Sequence, residues 1–327
     1  MKLTKMFMSS LLVGIILIVA LVRLMPEPIV LLARELVFVI LEDDRPEFYE
    51  IHGIQVQTDI EYDSIFSQNT FDYYEPKTPL PNHPTIIWIH GGGFVGGDKA
   101  DVEIYSIWLA YHGYHVISMN YELAPDAVYP SIMIQVDELV AYLQTHQQHW
   151  NLNLDNLFLA GDSAGAQIAA QFATIQTNLD YAEAIGIEPI LAADQIKGIL
   201  LYCGMYDLTS LLETDSRIIN FLFSQIGWSY FGTKEWAESD EGQLKSVINH
   251  VDENFPSTYI TDGNTISFEE QGEALVQRLE SLNVDVSSRF FDENKVTTYH
   301  NYQFRLDTKS GLETFQDTLN FLNQHRD

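Results

Sequence analysis

The chain of 327 residues has a single cysteine, Cys203, and only 17 Lys and Arg against 46 Asp and Glu. One cysteine excludes an intrachain disulfide and any cysteine-built metal cluster. Its place in the apolar run from Gly198 to Gly204 reads as a buried structural thiol. The shortage of cations leaves a formal net charge of −29 and excludes nucleic acid as a partner, because phosphate binding draws its affinity from clustered Lys and Arg. That acidity reads as a solvated surface. Repeats of roughly 20 to 50 residues are lacking too, which excludes a solenoid. Among the histidines upstream of the middle of the chain, His52, His83, His112, His115, His146 and His149 lack the spacing of zinc ligands and are expected on the surface or in loops. Neither a metal nor a cofactor is expected.

What is present begins with Lys2 and Lys5, followed by an uncharged run from Met6 to Val22. That run approaches the roughly 18 to 20 apolar residues that cross a bilayer. No small-x-small pair precedes Arg23, so residues 1–25 are expected to be a retained membrane anchor, with secretion after signal cleavage as the alternative. The lysine pair places the N-terminus inside and the folded domain outside the cytoplasm. In the region 26–50, the stretch Pro28 to Leu41 carries Arg34 and Glu35 and reads as an interfacial or cap helix.

The remainder, 51–327, of a chain that is 46% apolar overall fits one α/β domain. β-rich runs at Ile54 to Tyr62, Thr70 to Tyr74, Thr85 to His90, His115 to Asn120, Leu157 to Ala160, Gly198 to Tyr202, Thr258 to Thr261 and Val284 to Phe291 alternate with helical periodicity. Helices are predicted over Val102 to Tyr111, Ser131 to Thr145, Ala164 to Gln176, Phe268 to Leu282 and Leu312 to Leu322. This alternation predicts a mainly parallel eight-stranded sheet flanked by helices, with an antiparallel start. The aromatic stretch at about 208–251 has no strand alternation and reads as a helical cap.

Two motifs carry chemistry. His90-Gly91-Gly92-Gly93 follows the strand Pro84 to Ile89. Glycines there let backbone N–H groups approach a substrate oxygen, and no Lys-Ser/Thr follows as a phosphate-binding P-loop requires. Gly161-Asp162-Ser163-Ala164-Gly165 lies between an apolar strand and a helical run. Such a strand-turn-helix setting is what a nucleophile elbow needs, exposing the Ser163 oxygen beside a helix N-terminus.

Together with Tyr121-Glu122-Leu123-Ala124-Pro125-Asp126, these motifs resemble those of the hormone-sensitive-lipase-like branch of the α/β-hydrolase superfamily, from about Ile54 to the C-terminus. The resemblance implies the α/β-hydrolase fold and cofactor-free hydrolysis of small-molecule carboxylic esters through an acyl-enzyme on Ser163. It also implies an oxyanion hole from Gly92, Gly93 and Ala164. The fold carries the order nucleophile, acid, histidine, and of His250, His300 and His325 only His300 precedes a helix after the last strand, in a Tyr-His-Asn-Tyr-Gln-Phe loop similar to the family's. The acid departs from the family pattern, whose position aligns with Thr265 or Ile266. Asp262 is the nearest carboxylate, with Asp207 and Glu269 as alternatives. A peptidase or amidase with the same machinery, and an inactive hydrolase-fold binding module, are the competing readings.

Overall fold

A computed structural model describes residues 22–36 and 53–326. The anchor expected over 1–25 lies, apart from its last residues, outside that range, as does the end of the region 26–50. Among the described residues no helix is long and apolar enough to cross a membrane.

Helix α1 (Glu27–Leu36) buries Val30 and Ala33. Strands β1 (Gln55–Glu61) and β2 (Thr70–Glu75) follow, then β3 (Pro84–Ile89), α2 (Glu103–Tyr111), β4 (His115–Met119), α3 (Ser131–Trp150), β5 (Asn153–Asp162), α4 (Ala164–Thr177), the short α5 (Leu179–Ile185) and β6 (Ile196–Tyr202). After β6 the chain forms α6 (Arg217–Phe231) and α7 (Asp240–Lys245), and it ends with β7 (Thr258–Thr261), α8 (Glu269–Ser281), β8 (Val286–Arg289) and α9 (Lys309–His325). The eight strands form one sheet in the order β1-β2-β4-β3-β5-β6-β7-β8. β2 pairs antiparallel with β1 and β4, and every other neighbour is parallel.

The pattern of burial follows from that order. β3 and β4 are buried along their whole length, as parallel strands covered on both faces must be. Edge strand β1 is almost wholly exposed, and its alternating polar residues tolerate that. One face of the sheet packs Ile87, Ile89, Leu159 and Ile199 against α3 and α4, and the other packs Trp88, Phe158 and Leu200 against α2 and α9. The caps are local: the Ser216 hydroxyl accepts from the Ile219 N–H at the start of α6, and Gly232, at φ +74°, ends it.

His115 departs from expectation. It is fully buried in β4 rather than at the surface, because Tyr73 Oη at 2.7 Å and His83 Nδ1 at 3.2 Å engage its two ring nitrogens. Satisfied polar groups can be buried at low cost. Burial and the neighbouring His83 push its pKa down to about 4, so the ring sits there neutral.

Candidate active site

Ser163 stands at the C-terminal end of the central strand β5, where ligands gather in open parallel sheets. Its backbone, at φ 53° and ψ −120°, occupies a conformation that costs a non-glycine residue energy and persists only where the surroundings enforce it. They do so at Gly165, where a Cβ would lie 2.0 Å from the Ile89 carbonyl oxygen. The first turn of α4 is thereby pressed onto β3, and the Ser163 N–H is fixed by a 2.8 Å bond to the Tyr202 carbonyl.

Beside the elbow, Gly92 adopts φ +111° with no room for a side chain, since a Cβ would meet the Gly96 carbonyl at 2.0 Å. This folds the Gly91-Gly92-Gly93 loop so that, among the described residues, the N–H groups of Gly92, Gly93 and Ala164 donate to no protein acceptor. Tyr121 supports the loop from beneath: its hydroxyl donates to the His90 carbonyl at 2.8 Å and its ring stacks on His90 at 4.2 Å. Burial pushes His90 down to about 4, so it is a neutral packing element. Arg34 of α1 holds the loop's far side, donating to the carbonyls of Val95 at 2.6 Å and Ala124 at 2.7 Å and pairing with Asp126 at 3.2 Å.

His300 lies in the loop after β8 and lines the same cavity as Ser163 and Gly93. Its Nδ1 sits 2.8 Å from the hydroxyl of Ser267, a residue absent from the sequence-based set. The same hydroxyl donates to Asp262 Oδ1. Asp262 is therefore placed behind Ser267, not directly against His300. A hydroxyl has one proton, so with that proton on Asp262 it accepts from the His300 Nδ1–H. His300 Nε2 is then the free base. Asp262 Oδ1 also takes the Gly263 N–H at 2.7 Å and the Phe268 N–H at 3.3 Å. Burial pushes its pKa up to about 7, against those hydrogen bonds. Burial likewise takes His300 down to about 4.

Asp162 ties the three parts together. Fully buried, it accepts from Trp88 Nε1 at 3.1 Å and from Asn301 Nδ2, next to His300, at 3.0 Å. Burial pushes it up to about 7. The other carboxylates considered from sequence lie elsewhere. Asp207 is engaged by Thr209 at 2.7 Å and Ser246, and Glu269 lies with Glu213, Asp215, Glu270 and Glu293 around an adjoining polar vestibule. Cys203 is buried beside Asp262 and His300, with its sulfur accepting from the Asn301 N–H at 3.3 Å. Burial and the Asp262 charge push its pKa well up, so it remains a thiol.

The cavity encloses about 320 Å³ and is almost wholly apolar away from Ser163 and His300. Leu222, Phe223, Ile226 and Phe231 of α6, with Trp236, form its roof, and Met205 and Phe268 part of its wall. Phe94 of the glycine loop stacks on Tyr230 at 4.1 Å, which fixes α6 to the loop. Ile266 stands at the mouth, 81% exposed and at φ 50°. That backbone is unusual for a β-branched residue, and it turns the chain so that Ser267 faces inward.

A family model described as BD-FAE matches residues 71–279. The acetyl esterase of Salmonella paratyphi B is 31% identical over 135 residues, 40% of this chain and 38% of that protein. The chain thus matches less than half the length of this curated relative. Among solved structures, esterase B from Lactobacillus rhamnosis superposes with a TM-score of 0.73 at 23% identity, covering 84% of this chain and 86% of the other. An esterase of Pyrobaculum calidifontis superposes with a TM-score of 0.65 at 20% identity, covering 85% and 87%. These structural likenesses show a shared fold.

Proposed function

The chain belongs to the BD-FAE family, and on that premise we propose that it is a serine carboxylesterase in which Ser163 Oγ attacks the carbonyl carbon of a short- to medium-chain ester. His300 Nε2 takes the hydroxyl proton as the bond to carbon forms, then gives it to the departing alcohol. Ser267 orients the ring and connects it to Asp262, whose carboxylate stabilises the imidazolium. The N–H groups of Gly92, Gly93 and Ala164 receive the oxyanion, where loss of one donor typically costs about 2.7 to 4 kcal/mol. Water, activated in turn by His300, releases the acid.

The observation that carries this reading is that one apolar cavity is lined by Ser163, His300 and Gly93, with His300 joined through Ser267 to a buried carboxylate. The acetyl esterase relative supports the ester as the bond cleaved. Labelling with an alkyl fluorophosphonate should modify Ser163 and stop turnover of p-nitrophenyl butyrate. Unimpaired labelling and hydrolysis in Ser163→Ala would sink the proposal.

Attachment to a membrane through residues 1–25, with the esterase domain outside the cytoplasm, belongs to the same reading and is supported by the uncharged run after Lys2 and Lys5. Release of the full chain from membranes by alkaline carbonate would refute it.

A further inference from the structure

Large apolar side chains exposed singly are ordinary, whereas a concentration of them on one face marks an interaction surface. Here they concentrate on α1 and α6. Leu24 and Met25 just before α1, Leu31, Leu32 and Leu36 on it, and Ile218 and Phe221 on α6 are all exposed. The two helices pack against one another. α6 also carries the cavity roof, and the exposed Ile219 and Ile266 line the cavity mouth, so this face and the way into the cavity adjoin.

We infer that this face rests on a neutral lipid bilayer, so that the cavity draws membrane-dissolved esters from the lipid side. The uncharged run from Met6 to Val22 ends five positions before α1 begins at Glu27. Even fully extended, the five steps from Val22 to Glu27 reach at most about 18 Å, which holds α1 beside whatever that run enters. Arg23 and Arg217, both exposed, stand where long cationic side chains reach the headgroup layer. Glu35, Glu213 and Asp215 lie beside the same face, exposed as well, and with a net charge of −29 they oppose an anionic surface. The lipid is therefore zwitterionic. The latch from Arg34 to the Val95 and Ala124 carbonyls ties this face to the glycine loop as one rigid unit. The half of the inference that concerns substrate rests on the esterase reading; the half that concerns docking does not.

The test uses the full chain in phosphatidylcholine vesicles. Because Cys203 is buried, Leu32→Cys, Phe221→Cys and, on the opposite side of the sheet, Leu312→Cys each accept a bimane label alone. Blue-shifted emission and quenching by brominated-acyl phosphatidylcholine are expected at 32 and 221 and not at 312. Labels at 32 and 221 that stay water-like, or that become shielded without vesicles as protein concentration rises, overturn the inference, the latter in favour of a second copy of the chain. In a second arm, the Leu32→Ser, Phe221→Ser double variant should hydrolyse a long-chain ester dissolved in the vesicles about tenfold more slowly. Its rate on water-soluble p-nitrophenyl acetate should not change. An equal rate on both substrates relative to the parent overturns delivery from the bilayer. A parent that hydrolyses neither ester refutes the esterase reading, and delivery with it, while the bimane result still decides docking.

Discussion

Replacing Ser267 by alanine removes the hydroxyl that bridges His300 Nδ1 and Asp262 Oδ1 and leaves the cavity wall intact. Two quantities separate what the hydroxyl does from what the carboxylate does. The hydroxyl holds the imidazolium by one charge-assisted hydrogen bond, worth about 1.5 to 3 kcal/mol, so Ser267→Ala should lower kcat by roughly 10- to 150-fold. The carboxylate acts by its charge. A carboxylate oxygen of Asp262 lies within 4.8 Å of a ring nitrogen of His300, and at an effective dielectric constant of about 20 this is worth about 3.5 kcal/mol. Asp262→Asn keeps an oxygen to accept from Ser267 but loses that charge, so its kcat should fall by about 300-fold. KM should change little in either variant, since neither side chain is placed to bind the acyl group. Ser267→Thr, which keeps a hydroxyl, should recover most of the rate. Steady-state hydrolysis of p-nitrophenyl butyrate, with circular dichroism to confirm folding, reads all three. If Ser267→Ala stays within twofold of the parent while Asp262→Asn collapses, the carboxylate reaches His300 without the hydroxyl and the relay is wrong.

Further expectations follow from the same geometry. The rate needs Asp262 as carboxylate, and burial lifts its pKa to about 7, so kcat/KM should fall as pH drops through about 7. His300, lowered to about 4, stays neutral there and does not set that limb, and Asp262→Asn should flatten a profile measured from pH 5 to 9. Asp162, raised to about 7 by burial, binds its proton more tightly in the fold than an ordinary carboxylate does, so its own contribution to stability should fall as pH rises from about 4 to 7; the stability of the parent relative to Asp162→Asn should decline over that window, and a difference independent of pH would contradict this. Arg34→Lys keeps the charge but cannot hold the Val95 and Ala124 carbonyls together, because a compact ammonium lacks the planar fork; kcat should drop about tenfold with little change in denaturant midpoint. Gly165→Ala puts a methyl 2.0 Å from the Ile89 oxygen and should cost about 1 to 3 kcal/mol in urea unfolding.

The sheet was legible because its strands are short apolar runs punctuated by turn residues. The run from Thr258 to Thr261 matches β7 residue for residue, and β5 begins earlier than predicted because Asn153 pairs with Pro84 beyond the apolar core of the strand. The short α5 escaped notice, since its helix is set by the Asn178 cap and by Tyr181 packing rather than by a long period. His115 was misplaced because periodicity does not reveal a tertiary partner such as Tyr73. Within the candidate site, the elbow and the glycine loop are contiguous in sequence and were visible as such. The link from His300 to Asp262 was not, because it runs through a serine whose inward direction depends on the turned backbone at Ile266. The available signal was indirect: no carboxylate at Thr265 or Ile266, and a hydroxyl residue immediately after them.

The hydrogen bond from Asn301 to Asp162 joins residues 139 positions apart, and it has a meaning for the timing of synthesis. At about 5 to 20 residues per second, roughly 7 to 28 s separate emergence of the elbow from emergence of its base. During that interval the nascent chain carries a serine with nothing to deprotonate it. On the proposed mechanism, onset of hydrolysis in a synchronised translation reaction would then mark docking of the segment that carries His300 and Asn301 onto the elbow.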